Sequence, residues 1–122
     1  MNRRVFIVED ESLLVMVLED MLPELGYEVA ASAASVSSAL HALGSEDPDL
    51  AILDVNLAGS RSFPVADVLA ERGIPFLFAS GYGESILPER YAHIPLVAKP
   101  YGRPELEAAL AALPPRTRAA AS

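Results

Sequence analysis

Apolar positions along this chain alternate between two kinds of pattern. Short runs rich in strand-forming residues occur at Arg4 to Val8, Tyr27 to Ala31, Leu50 to Leu53, Pro75 to Ala79 and Leu96 to Ala98. Between them, apolar residues recur at helical spacing. The first such stretch carries Leu14, Val17, Leu18, Met21, Leu22 and Leu25 on one face and closes at Gly26. Ser35 to Leu43 closes at Gly44, Pro64 to Glu71 is ended by Gly73, and Pro104 opens a last helix whose Leu106, Ala109, Leu110 and Leu113 share a face. Only Glu84 to Tyr91 breaks the pattern: Pro88, with Gly81, Gly83 and Pro95 around it, makes a fourth helix short or irregular.

Wholly apolar strands that alternate with helices imply an α/β fold with a parallel sheet covered on both faces and joined by right-handed crossovers. Ligands of such folds sit beyond the carboxyl ends of the strands. The residues at those ends are Glu9, Asp10 and Glu11 after the first strand, Asp54 after the third, Ser80 after the fourth and Lys99 after the fifth.

Carboxylates that converge there repel one another and raise one another's pKa unless a cation neutralises them. Oxygen-only donors with no His or Cys nearby favour Mg²⁺ over zinc, with room for a phosphate oxygen. An Asp carboxylate can attack phosphorus to give an aspartyl phosphate while a metal and a lysine balance the charge on the transferred group, and Asp54 and Lys99 suit those parts. Each residue alone also has an ordinary use: Glu11 at a helix N-terminus, Asp54 in a turn, Ser80 as a cap, Lys99 as a surface charge. Their joint position at four strand ends is the signal.

Composition narrows the function classes. The 122 residues make one domain, expected to fold over 1–113 and to leave 114–122, with Pro114, Pro115, Arg116 and Arg118, as a flexible tail. A formal net charge of -8 repels nucleic acid, so no direct nucleic-acid binding is expected. No apolar run approaches the roughly 18 residues of a membrane span, and Val5 to Val8 is too short for the core of a secretion signal. With no cysteine, disulfides and thiolate chemistry are excluded, and a soluble protein of the cytoplasm is the expectation. His41 and His93 lie away from the strand ends and are read as surface or packing residues.

Phe6-Ile7-Val8-Glu9-Asp10-Glu11, Leu53-Asp54-Val55-Asn56-Leu57, Ala79-Ser80-Gly81 and Lys99-Pro100-Tyr101 together resemble the receiver domain of two-component response regulators, over Arg3 to Leu113. The resemblance implies a three-layer (βα)₅, flavodoxin-like fold with strand order 2-1-3-4-5. It implies Asp54 as phosphoacceptor and Mg²⁺ held by Asp10, Asp54 and the backbone carbonyl of Asn56, with Glu9 acting through water. Ser80 would be the switch hydroxyl and Lys99 the phosphate partner. A cis Lys99–Pro100 bond is expected, and Asn56 and Tyr82 occupy places that influence phosphoryl lifetime. The implied partners are a histidine kinase or phosphotransfer protein, docking on the first helix, and a downstream protein target. Such a protein is a phosphoacceptor that signals, not an enzyme acting on a metabolite.

Pro75 to Gly83 further resembles the single-domain receivers marked by a Phe-Ala-Thr-Gly-x-Tyr stretch, with Ser80 in the threonine's place. One departure stands out: the aromatic usual three residues before the lysine is Leu96, so another element must report phosphorylation, and Gly81 to His93 is the expected mobile loop. A receiver kept only as a docking module is an alternative reading. A haloacid-dehalogenase-type phosphatase would need a second Asp where Asn56 stands, and a flavodoxin-like carrier would need a phosphate loop where Glu9 to Glu11 stand.

Overall fold

The computed structural model describes residues 2–81 and 87–116. Five parallel strands form one sheet: β1 (Arg3–Val8), β2 (Tyr27–Ala33), β3 (Leu50–Asp54), β4 (Phe76–Ser80) and β5 (Leu96–Ala98). The spatial order is β2-β1-β3-β4-β5, as the family resemblance implies. Helices α1 (Ser12–Glu24), α2 (Val36–Leu43), α3 (Phe63–Glu71) and α4 (Arg103–Ala111) cover its two faces.

Strand alternation sorts the core into two halves. Phe6, Val8, Ala51, Leu53, Phe76 and Phe78 point towards α2 and α3, where Ala39, Leu43, Val65 and Leu69 meet them. Val5, Ile7, Leu50, Ile52, Leu77 and Val97 point the other way, onto Leu18 and Leu22 of α1 and Leu106 and Leu110 of α4. This double-sided burial is why β3 and β4 read as unbroken apolar runs instead of alternating ones.

Local chemistry fixes the ends of the helices. Ser35 caps α2 reciprocally with Ser38: each side-chain oxygen accepts the other residue's backbone N–H at 3.1 Å. Glu105, in the first turn of α4, accepts the N–H of Gly102 at 2.9 Å. At the far end of α2, Arg72 donates to the Leu43 carbonyl at 2.7 Å and the Glu46 carbonyl at 2.9 Å, and pairs with Asp47 at 3.0 Å. It therefore satisfies acceptors that a helix C-terminus leaves open and ties α3 to α2.

Two sequence-based expectations are revised. Val17 does not share the buried stripe of α1: it is 43% exposed, and Val15 packs partly against the core instead. Six consecutive apolar residues, Leu13 to Leu18, cannot all face one side of a helix, and spacing alone did not choose among them. Strand β2 runs on to Ala33, past the predicted Ala31. Between β4 and β5, the described residues contain a 3₁₀ turn, Glu89–Tyr91, where the fourth helix was expected to be short or irregular. Tyr91 anchors that turn, its ring packed on Phe63, Phe76 and Phe78 and its hydroxyl donating to Asp67. Tyr82, Gly83 and the rest of 82–86 in the predicted mobile loop lie outside the described residues.

In the segment expected to be a tail, Arg3 donates to the Pro114 carbonyl at 3.4 Å and Arg116 to the Pro48 carbonyl at 3.2 Å. Residues 117–122 lie outside the described residues. No helix among the described residues is long and apolar enough to cross a membrane.

Arg72→Ala is expected to lower the unfolding free energy by about 1–2 kcal/mol, because two part-buried carbonyl acceptors lose their donor. Urea titration of the variant against the parent protein checks this.

Candidate functional site

The carboxyl ends of β1, β3, β4 and β5 meet on one edge of the sheet, and each delivers polar residues to it. Asp54 is the last residue of β3 and only 4% exposed. Glu9 follows β1 directly and is 3% exposed, its backbone N–H still bonded to the Ala33 carbonyl at 2.9 Å. Ser80 ends β4 and is buried. Lys99 follows β5, held by its own N–H on the Ser80 carbonyl at 2.8 Å, and the Lys99–Pro100 peptide is cis, as expected.

The Lys99 ammonium lies between two buried carboxylates, 2.8 Å from Glu9 Oε1 and 2.9 Å from Asp54 Oδ2, with Glu11 at 3.8 Å. The remaining oxygens take backbone donors. Glu9 Oε2 accepts the Glu11 N–H at 3.0 Å, and Asp54 Oδ1 accepts the Asn56 N–H at 3.3 Å. Asp10 is exposed at the rim, and its Oδ2 accepts the Ala58 N–H at 3.0 Å. Glu9 thus touches Lys99 directly.

Four acids and one ammonium leave the edge negative. Glu9, Asp10 and Asp54 each bring one carboxylate oxygen within 4.8 Å of the other two, a spacing that could hold a metal ion. An all-oxygen donor set of this kind fits Mg²⁺ and offers nothing to zinc.

Burial is the main electrostatic cost here. Desolvation pushes Glu9 from 4.5 up to about 7, against the lowering effect of its hydrogen bonds to Lys99 and Glu11. For Lys99, burial acts downward, but hydrogen bonds to Glu9 and Asp54 outweigh it and hold the amine charged well above its usual range. Tyr101 lies beside the same charges. Burial, then the Glu9 charge, pushes its phenol up to about 12, and its hydroxyl has no partner among the described residues.

Two features of the site were not legible beforehand. The loop around Gly59 is a small antiparallel ribbon, Asn56–Leu57 paired with Ser60–Arg61. Its turn places Ala58 at φ 50° and Gly59 at φ 91°, both in the left-handed region that two-residue hairpin turns require. Asn or Gly at residue 58 would have signalled this turn; Ala does not. The second feature is an apolar groove beside the site, where Leu13 (71% exposed) and Val17 (43% exposed) of α1 stand near Leu14, Pro100 and Tyr101. His41 and His93 are exposed and not among the residues that form this edge.

In metal-free buffer, Glu9 binds a proton more tightly in the folded than in the unfolded protein. Its contribution to stability is therefore fully present below about pH 4.5 and is lost as the pH rises through about 7. Glu9→Gln is expected to flatten the fall in stability across that window, read by denaturant titrations at stepped pH. Separately, Ala58→Asn is expected to raise the unfolding free energy by about 1 kcal/mol, because Asn tolerates the left-handed region where Ala is strained. Urea unfolding checks this second change.

The profile of the response regulator receiver domain matches residues 5–111. Among curated proteins, the transcriptional regulatory protein PdtaR of Mycobacterium tuberculosis is 35% identical over 89 residues, which cover 72% of this chain and 43% of PdtaR. The chain thus spans less than half the length of that relative. Among solved structures, SdrG of Sphingomonas melonis Fr1 superposes with a TM-score of 0.81 at 40% identity, covering 90% of this chain and 94% of SdrG. The receiver domain of Erythrobacter litoralis PhyR gives 0.75 at 30% identity, covering 90% of this chain and 88% of that one. With the sheet order and the acid–lysine edge already in place, these matches identify the chain as a member of the response regulator receiver family, a family of signalling domains.

Proposed function

We propose that this receiver accepts a phosphoryl group on Asp54 from a histidine kinase or phosphotransfer protein in a Mg²⁺-dependent step, and signals through altered protein contacts. The observation that carries this reading is the Asp54 carboxylate at the end of β3, with one oxygen on Lys99 and the other on a backbone N–H. A carboxylate held in this way is oriented before the donor arrives.

Asp54 acts as the nucleophile. Its oxygen forms a bond to phosphorus as the bond from phosphorus to the donor's leaving group breaks, and the product is an aspartyl phosphate. Lys99 keeps its proton and follows the charge from the Asp54 carboxylate to the phosphoryl oxygens. Asp10, Asp54 and the Asn56 carbonyl would hold Mg²⁺, with Glu9 acting through water, and the ion when bound supplies charge neutralisation. Ser80, whose hydroxyl donates to the Gly81 carbonyl at 3.2 Å, turns to a phosphoryl oxygen as the switch. Leu96, 38% exposed on β5, carries no ring to follow that movement.

The donor docks along α1. Leu13 and Val17 are exposed next to Pro100 and Tyr101, an apolar patch that borders the acceptor edge and suits the helix face of a protein donor. Output through protein contacts, cytoplasmic location and a body that ends near Leu113 belong to the same proposal. The titles of some PhyR structures name an anti-anti-sigma factor. For this chain the target is stated only as a protein.

With Mg²⁺ and acetyl phosphate, intact mass is expected to show one added phosphoryl group, absent in Asp54→Asn and absent when Mg²⁺ is chelated. A folded protein that gains nothing under these conditions, or Asp54→Asn that gains as much as the parent, would overturn the proposal. Lys99→Ala is expected to slow the gain by roughly a hundredfold, the order of loss when one charge-stabilising donor is removed.

A further inference from the structure

The balance of charge around the acceptor edge is one-sided, and one side chain departs from it. Seventeen acids face nine basic residues in the chain. Among the described residues, nearly every basic side chain is already engaged. Arg4 pairs with Glu28 and Glu46, Arg72 and Arg116 with Asp47, Arg90 with Asp67, Arg103 with Glu24, and Lys99 with Glu9 and Asp54. Arg3 donates to a carbonyl. Arg61 alone among them has neither a carboxylate nor a carbonyl partner, and it is exposed.

Its place in the fold is well defined. Arg61 is the ribbon partner of Asn56, two residues beyond the acceptor. Directly opposed residues of an antiparallel pair lie about 5 Å apart and share a face, so Arg61 stands beside Asn56, two residues from Asp54, in the ribbon's approach to the edge. The ribbon itself is tied to both carboxylates at the edge, through the Asn56 N–H on Asp54 and the Ala58 N–H on Asp10. Its root is fixed by the Ser62 N–H on the Val55 carbonyl at 2.9 Å, and Ser62 is fully buried. A cation on such a base is presented at the mouth of the site instead of wandering over the surface.

We infer that Arg61 is a positioning residue that draws the anionic phosphodonor to Asp54. This inference rests on the phosphoacceptor reading above. A doubly charged donor that approaches a protein of net charge -8 meets net repulsion, which an unpaired cation beside the edge offsets locally. Lys99 cannot supply that attraction, because its charge is already balanced by two buried carboxylates. Arg61 carries a charge that no side chain among the described residues offsets, at the entrance and not at the reacting atoms. Its effect is therefore on capture of the donor and not on the transfer step.

The test is the rate of phosphorylation by acetyl phosphate in Mg²⁺ buffer at stepped ionic strength, for the parent protein, Arg61→Ala, Arg61→Glu and Arg61→Lys. At low salt, Arg61→Ala is expected to raise the apparent donor KM roughly fivefold with the maximal rate unchanged, the size of one unit charge acting at contact in water. Arg61→Glu goes further in the same direction, Arg61→Lys stays near the parent, and the differences shrink as salt screens them. Equal KM values and equal salt dependence across the series, or a loss in Arg61→Lys as large as in Arg61→Ala, overturn the inference. A second measurement separates it from the phosphoacceptor reading: inorganic phosphate is titrated into Asp54→Asn while the Arg61 side-chain N–H resonance is followed by NMR. A phosphate-dependent shift there supports capture by Arg61 even if Asp54 of the parent takes no phosphoryl group. No shift overturns the capture role even if Asp54 is phosphorylated.

Discussion

Everything at the working edge depends on one ammonium group between two buried carboxylates. Lys99 is the only lysine in the chain, and it lies 2.8 Å from Glu9 and 2.9 Å from Asp54. Two carboxylates almost closed to water repel each other, and removing the cation between them would leave an uncompensated buried charge that costs more than the pair itself contributes. The same contact joins the ends of β1, β3 and β5, three strands far apart in sequence. Electrostatic need and sheet geometry thus set a single position for the side chain.

The sheet makes that contact possible by its order. With β1 and β3 adjacent at the centre, Glu9 and Asp54 emerge side by side, and β5 brings Lys99 in from beyond β4. The ribbon after β3 completes the edge from above, with its backbone donors on Asp54 and Asp10. Acidic side chains are therefore held by backbone N–H groups and one lysine, a set of donors that leaves carboxylate oxygens near one another.

Much of this was legible in the sequence. Apolar runs with glycine stops placed the five strands and four main helices, because burial on both faces leaves no alternation to misread. The rule that ligands collect at carboxyl ends of strands selected Glu9, Asp10, Asp54, Ser80 and Lys99, and the structure brings these residues to one edge. What could not be read has physical reasons. Six apolar residues in a row at the start of α1 carry no phase, so Val17 was placed inward and stands outward. Ala58 takes a backbone conformation its side chain disfavours, so nothing in its identity announced the ribbon. The direct contact of Glu9 with Lys99 is a matter of side-chain distance, which strand spacing does not specify.

The two halves of the core differ in more than their residues. All four phenylalanines, with Tyr91, lie on the α2–α3 side of the sheet, where Phe63, Phe76, Phe78 and Tyr91 meet edge-on or tilted at centroid distances of 5.4–6.4 Å. The α1–α4 side is built almost wholly from leucine, isoleucine, valine and alanine. Ring pairs prefer particular mutual orientations, whereas aliphatic contacts are non-directional. The sheet therefore separates a half packed by orientation from one packed by shape alone, and the helix that borders the carboxylate edge belongs to the second. Directional packing fixes the strands on one face, and α1, with its exposed Leu13 and Met16, rests on the other.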